Sequence, residues 1–108
     1  MRSSEDYRAT VRRGAKAARP TLVAHVVLPT VADGGSATSI GFVVNRGVGS
    51  AVDRNRVKRR LRHLMRSRVS DVPAGSRIVI RALPAANAAT STTLSVDLDE
   101  ALSRAGAR

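Results

Sequence analysis

A chain of 108 residues has the size of one compact domain, and with 43 % hydrophobic residues but one Phe, one Tyr and no Trp its core must be built from Val, Leu, Ile and Ala. Nineteen Lys and Arg against eight Asp and Glu give a formal charge of +11, a self-repulsion that calls for a polyanionic partner, either nucleic acid or an anionic membrane. No run approaches the roughly 18 consecutive apolar residues of a membrane span, no charged-then-apolar leader opens the chain and there is no cysteine. A membrane anchor, secretion, disulfide staples, thiolate metal sites and a Cys nucleophile are therefore unsupported, and a cytoplasmic protein is the expectation.

Ser3 or Ser4 followed by Glu5 and Asp6 reads as a helix start, with Tyr7 and Val11 on one face and Gly14 as the stop. After Pro20, the β-branched run Thr21 to Leu28 predicts a strand, with Leu22, Ala24, Val26 and Leu28 on one face and Val23, His25 and Val27 on the other. The turn-rich segment Ala32-Asp33-Gly34-Gly35-Ser36 leads into a second strand, Ser39 to Val44, and pairing of these two as an antiparallel hairpin is expected, with a third short strand cut from either. Phe42 alternates with Ile40 and Val44 and is expected in the core. Ser50 or Asp53 can cap a helix in which Val57, Leu61, Leu64 and Met65 recur at helical spacing, closed by Pro73-Ala74-Gly75. Arg77 to Leu83 reads as a strand bounded by Pro84, Ala85 to Thr92 as a small-residue loop, and Leu94, Leu98, Ala101 and Leu102 as the apolar stripe of a last helix. The strand, long helix and strand in the middle of the chain suggest a βαβ crossover. The fold class is α+β: one domain over residues 1–108, a sandwich of order α-β-β-β-α-β-α with helices packed on a mixed sheet.

The cationic charge is confined to particular elements. Residues 1–19 hold six basic residues and residues 46–68 hold nine, whereas residues 20–45 hold none. At 100° per residue from Arg54, the apolar stripe Val57, Leu61, Leu64 and Met65 covers an arc from about 280° to about 20°, opposite Asn55, Arg59, Arg62 and Arg66. Arg54 and Lys58 flank the stripe on one side, Arg56 and Arg60 on the other. Charged residues on an exposed helix face often form only a solvated surface. Here, however, Arg54, Lys58, Arg62 and Arg66 repeat the i, i+4 like-charge spacing, each pair costing a few tenths of a kcal/mol, and Arg54 and Arg56 stand at the helix end where the macrodipole disfavours cations. A phosphate backbone reverses both signs, and the planar fork of Arg suits bidentate phosphate contacts. Asn55 adds an amide able to read a base edge or a sugar hydroxyl.

The run Gly49-Ser50-Ala51-Val52-Asp53-Arg54-Asn55-Arg56-Val57-Lys58-Arg59-Arg60-Leu61-Arg62 resembles the signature of the bacterial ribonuclease P protein family, Gly-x-Ala-Val-x-Arg-Asn-Arg-x-Lys-Arg-x-x-Arg, at every fixed position. The likeness extends more loosely through Asp6-Tyr7, Arg13-Gly14, Ile40 to Val44, Ile78-Val79-Ile80 and Pro84, or residues 4 to 104. It implies a protein that is not a nuclease alone but a subunit of an endoribonuclease holoenzyme. Its RNA subunit would carry the active site and hold the Mg²⁺, and together the two would remove the 5′ leader of precursor tRNA. It also implies a left-handed βαβ crossover, against the usual right-handed preference. Carried over to this sequence, Arg54, Asn55, Arg56, Lys58, Arg59, Arg62 and Arg66, with Arg46, would bind the RNA subunit. Tyr7, Val11 and His25 would line a cleft for the single-stranded leader, where a stacked base contributes about 1–3 kcal/mol. A monomeric protein in the holoenzyme is the implied state. The chain departs from the family where Arg46-Gly47 replaces a common pair of basic residues and where Val11 replaces a second aromatic. A ribosomal or general RNA-chaperone protein shares the charge and size but has no need of the ordered Arg-Asn-Arg spacing. A self-sufficient nuclease would need a catalytic cluster, and the eight acids are scattered.

Overall fold

The computed structural model describes residues 14–30 and 37–107, and the N-terminal helix expected around Tyr7 and Val11 lies outside them. The described elements run β1 (Ala15–Ala18), β2 (Leu22–Val27), β3 (Ser39–Val43), α1 (Ala51–Arg66), β4 (Arg77–Ala82) and α2 (Ser91–Arg104), with short 3-10 turns at Arg46–Val48, Val69–Asp71 and Pro84–Ala86. One four-stranded sheet has the order β1-β2-β4-β3.

The pairing corrects one expectation. β2 and β3 are not neighbours: β2 pairs antiparallel with β1 and with β4, and β3 lies parallel to β4 on the far edge. The third strand was not cut from either predicted run. It is Ala15-Lys16-Ala17-Ala18, a segment with helix-forming rather than β-forming residues, held extended by its pairing with Val23 to Val26. A tight turn closes this hairpin through Pro20-Thr21, with the Arg19 N–H donating to the Leu22 carbonyl at 2.8 Å. A parallel β3–β4 pair requires a long crossover, and α1 supplies it as expected.

The two faces of the sheet differ in chemistry. Leu22, Ala24 and Val26 of β2, Ile78, Ile80 and Ala82 of β4 and the partly buried Ile40 and Phe42 of β3 meet Val57, Leu61 and Met65 of α1 and Leu94, Leu98, Ala101 and Leu102 of α2 in one aliphatic core. Leu28, expected on this face, falls beyond the end of β2 and is exposed. On the opposite face the register aligns Lys16, His25, Val79 and Gly41 in one row across the sheet, and Ala18, Val23, Arg81 and Val43 in the next. Val23, His25 and Val79 are buried there as well.

A buried carboxylate ties the β1–β2 turn to the last helix. Asp97 of α2 accepts hydrogen bonds from the Thr21 backbone N–H at 3.1 Å and from the Thr21 hydroxyl at 2.6 Å. Arg19 approaches the same carboxylate at 4.0 Å and pairs with Glu100 at 2.8 Å. Asp97→Ala leaves two buried donors without their acceptor, so it should lower unfolding stability by about 2 kcal/mol in a denaturant titration, whereas Glu100→Ala, at the exposed end, should change it by less than about 1 kcal/mol.

Candidate nucleic-acid interface

The first turn of α1 is fixed by a capping box. The Ser50 hydroxyl accepts from the Asp53 N–H at 3.2 Å, and the Asp53 carboxylate accepts from the Ser50 N–H at 3.1 Å. Those bonds, with further contributions from Arg56 and the Asn87 amide, hold the Asp53 carboxyl below its ordinary value. Asp53 is the only acid in α1, and it is consumed in the cap. Gly49 is required beside it. A Cβ there would sit 2.7 Å from Asp53 Oδ2 and 2.9 Å from Asn87 Nδ2, closer than real contacts allow.

With Val57, Leu61 and Met65 almost fully buried, the wheel is fixed against the sheet, and the arc opposite faces outward: Asn55, Arg59, Arg62 and Arg66 are all exposed. Arg54, Asn55 and Lys58 line a cleft of about 280 Å³ with Val44 and Ala51, at the junction between the end of β3 and the start of α1. Three of the motif's side chains are thus brought together. Arg46 is exposed on the 3-10 turn that leads into the helix, and Gly47 beside it has open space at its Cβ.

Arg56 and Arg60 are placed differently. One turn apart on the side of the helix facing the loop after β4, Arg56 donates through Nη2 to the Asn87 carbonyl at 3.2 Å and to Asn87 Oδ1, and Arg60 donates to the Ala89 carbonyl at 3.2 Å. Asn87, a lone amide in the small-residue run Pro84 to Ala89, is a site-building residue that spacing does not reveal, because its partners are 31 and more positions away.

The sheet face away from α1 and α2 carries a second group of basic side chains, Lys16 exposed and Arg77 and Arg81 partly buried, around the buried His25. Lys16, His25, Arg77 and Arg81 share this face by register. The signal for Arg77 and Arg81 was present in the alternation Arg77-Ile78-Val79-Ile80-Arg81, which places Ile78 and Ile80 inward and both arginines on the other side. His25 is buried with its Nδ1 atom unpartnered, and burial, then Arg81 and Lys16, push its pKa below the usual 6.5. Tyr7 and Val11, the other candidates for a leader cleft, lie outside the described residues. Among the described residues no group of three or more His, Cys, Asp or Glu could hold a metal ion, and no helix is long and apolar enough to cross a membrane.

Such a sandwich, with a cationic crossover helix on one side of a mixed sheet, is the fold of the ribonuclease P proteins. The protein from Staphylococcus aureus matches with a TM-score of 0.85 at 21 % identity over 99 % of this chain and 94 % of that one. The protein from Thermotoga maritima matches at 0.79 with 23 % identity over 96 % and 94 %. A family model described as Ribonuclease P covers residues 1–106. Curated relatives named ribonuclease P protein component include those of Streptomyces avermitilis, 52 % identical over 96 % of this chain and 89 % of the relative, and Nocardioides sp., 46 % identical over 99 % and 91 %. The chain belongs to the ribonuclease P protein component family, and is accordingly a subunit of that endoribonuclease rather than a ribosomal or general chaperone protein.

The depressed pKa of His25 gives a signed pH dependence. Below about pH 6.5 the unfolded chain takes up a proton that the buried ring resists, so this contribution to stability is complete above that pH and declines as pH falls below it. Denaturant midpoints between pH 7.5 and 5 should fall for the wild type and flatten for His25→Gln. Equal slopes for the two proteins would refute a neutral buried imidazole.

Proposed function

We propose that the protein binds the ribonuclease P RNA subunit through the exposed arc of α1 and holds the 5′ leader of precursor tRNA on the sheet face away from α1 and α2, assisting removal of the leader by an active site in the RNA. The observation that carries this reading is an arc of cations left without a compensating acid: the one carboxylate of α1 is engaged in its cap. Such an arc is unfavourable alone and becomes favourable against phosphate. Arg59, Arg62 and Arg66 supply backbone-positioning contacts, the cleft of Arg54, Asn55 and Lys58 takes a phosphate with its sugar or base edge, and Arg46 adds a contact at the entering turn. On the sheet face His25 is neutral, a donor and acceptor rather than a cation, between Lys16 and Arg81. The groups available on α1 position RNA, and the Mg²⁺ is held mainly by the RNA subunit. The protein acts in the cytoplasm, as a monomer within the holoenzyme.

Purified protein should leave precursor tRNA intact, and adding the cognate RNA subunit with Mg²⁺ should give one cut at the mature 5′ end; cleavage without that RNA would sink the proposal. Arg59→Ala and Arg62→Ala should each weaken assembly and flatten the slope of log affinity against log salt by about 0.7–0.9 per lost phosphate contact. Because Gly47 has open space around its Cβ, Gly47→Arg should fold normally and steepen that slope by a similar amount, about 0.7–0.9.

A further inference from the structure

We propose that Arg56, although it stands in the Arg-Asn-Arg motif, is a positioning residue: it acts through Asn87 to set the orientation of the first turn of α1 and is not itself a phosphate-binding arginine. The proposal deepens the RNA-binding reading of α1 and rests on it.

A guanidinium grips a phosphate or carboxylate in bidentate fashion by one of two kinds of edge, the pair of Nη atoms or Nε with one Nη. Neither is open on Arg56. Its Nη2 has two hydrogens and faces three oxygens: the Asn87 carbonyl at 3.2 Å, Asn87 Oδ1, and Asp53 Oδ1 at 3.5 Å. Its Nε is buried without a partner. Only Nη1 is left for a single contact, and the Asp53 carboxylate already offsets the charge. Arg54, Arg59, Arg62 and Arg66 have no such tether to another element among the described residues; Arg54 donates through Nε to the carbonyl of its own helix's cap residue, Ser50, at 3.4 Å.

The same contacts explain what Arg56 does instead. Asn87 stands beside both charged groups: its Oδ1 accepts from Arg56, and its amide helps hold the Asp53 carboxyl below its ordinary value. Gly49 is kept free of a Cβ by the close approach of both Asp53 and Asn87. One turn further on, Arg60 repeats the attachment at Ala89. The loop after β4 is thereby stitched along one side of α1, while Arg54, Asn55 and Lys58 line the cleft on the other side. Rotation of the helix about its axis, which would carry those three side chains away from Val44, is resisted by the stitch. Burial of the apolar stripe sets which face is inward; the stitch sets the angle at the end of the helix where the stripe has not yet begun.

The test is equilibrium binding of the full-length protein to the cognate RNA subunit over a range of salt, with circular dichroism at the assay temperature to measure the folded fraction of each variant. Arg62→Ala is the reference for a phosphate contact and should weaken binding and flatten the salt slope. Arg56→Ala should weaken binding about tenfold, the scale of losing a charge-assisted hydrogen bond, with the slope unchanged. Asn87→Ala, which removes no charge, should reproduce that loss, and the double variant should bind no more weakly than the weaker single one. The loss caused by Asn55→Ala should shrink in the Arg56→Ala background, a coupling that a uniform loss of folded protein would not produce. Slope flattening by Arg56→Ala equal to that of Arg62→Ala, or full affinity of Asn87→Ala, overturns the role given to Arg56 alone. An unchanged slope for Arg62→Ala overturns the RNA-binding reading of α1 and the role of Arg56 with it.

Discussion

The structure depends on burial of three residues, Val57, Leu61 and Met65, on a helix that electrostatics opposes. Each such side chain contributes about 1.5–3 kcal/mol when removed from water, whereas each i, i+4 like-charge pair costs only a few tenths. The stripe therefore prevails over the repulsion, and the helix can present an arc of uncompensated arginine outward without unfolding. A surface built on this balance is under permanent electrostatic stress, which an RNA backbone relieves. Affinity for a polyanion is in this sense a consequence of how the helix is held, since the same side chains would be a liability on a protein with no such partner.

The first turn of α1 meets a harder version of the problem, because there the helix dipole adds to the repulsion and the buried stripe has not yet begun. Ser50 and Asp53 satisfy two of the free backbone donors, and the Asp53 carboxylate places negative charge where the dipole favours it. Asn87 and Gly49 complete the arrangement, one by bridging to Arg56 and the other by leaving room for the approach. The Gly-x-Ala-Val-x-Arg-Asn-Arg run is thus two overlapping devices. Gly49, Ser50, Asp53 and Arg56 hold the helix end, and Arg54, Asn55 and Lys58 form the surface that this end displays.

The sheet divides its labour in a comparable way. Alternation along β4 sends Ile78 and Ile80 to the helices and Arg77 and Arg81 to the other face, so one central strand builds the core and supplies basic side chains to the opposite face with the same six residues. His25 shares that face by register with Lys16, and its two cationic neighbours and its burial all favour the neutral ring.

The amino-acid sequence by itself determined the elements whose information is local: the period of Val57, Leu61 and Met65, a cap at Ser50 or Asp53, the β-branched run of β2, the Ile alternation of β4 and the Leu spacing of α2. It also determined the arc of α1, since an angle on a wheel needs only residue order. Tertiary structure decided everything that needed partners far along the chain. β1 is a strand because β2 lends it a register, not because Ala-Lys-Ala-Ala prefers one. The expected β2–β3 hairpin gave way because β4 fits between them, with antiparallel bonds to one and parallel bonds to the other. Arg56 and Arg62 are both motif arginines to which the resemblance gives one RNA-binding role, and they differ in the folded protein, where a loop residue 31 positions on takes the fork of Arg56 and Arg62 is left exposed. Local spacing can say that an arginine lies near the surface, but only the folded chain decides which hydrogen-bond donors remain open.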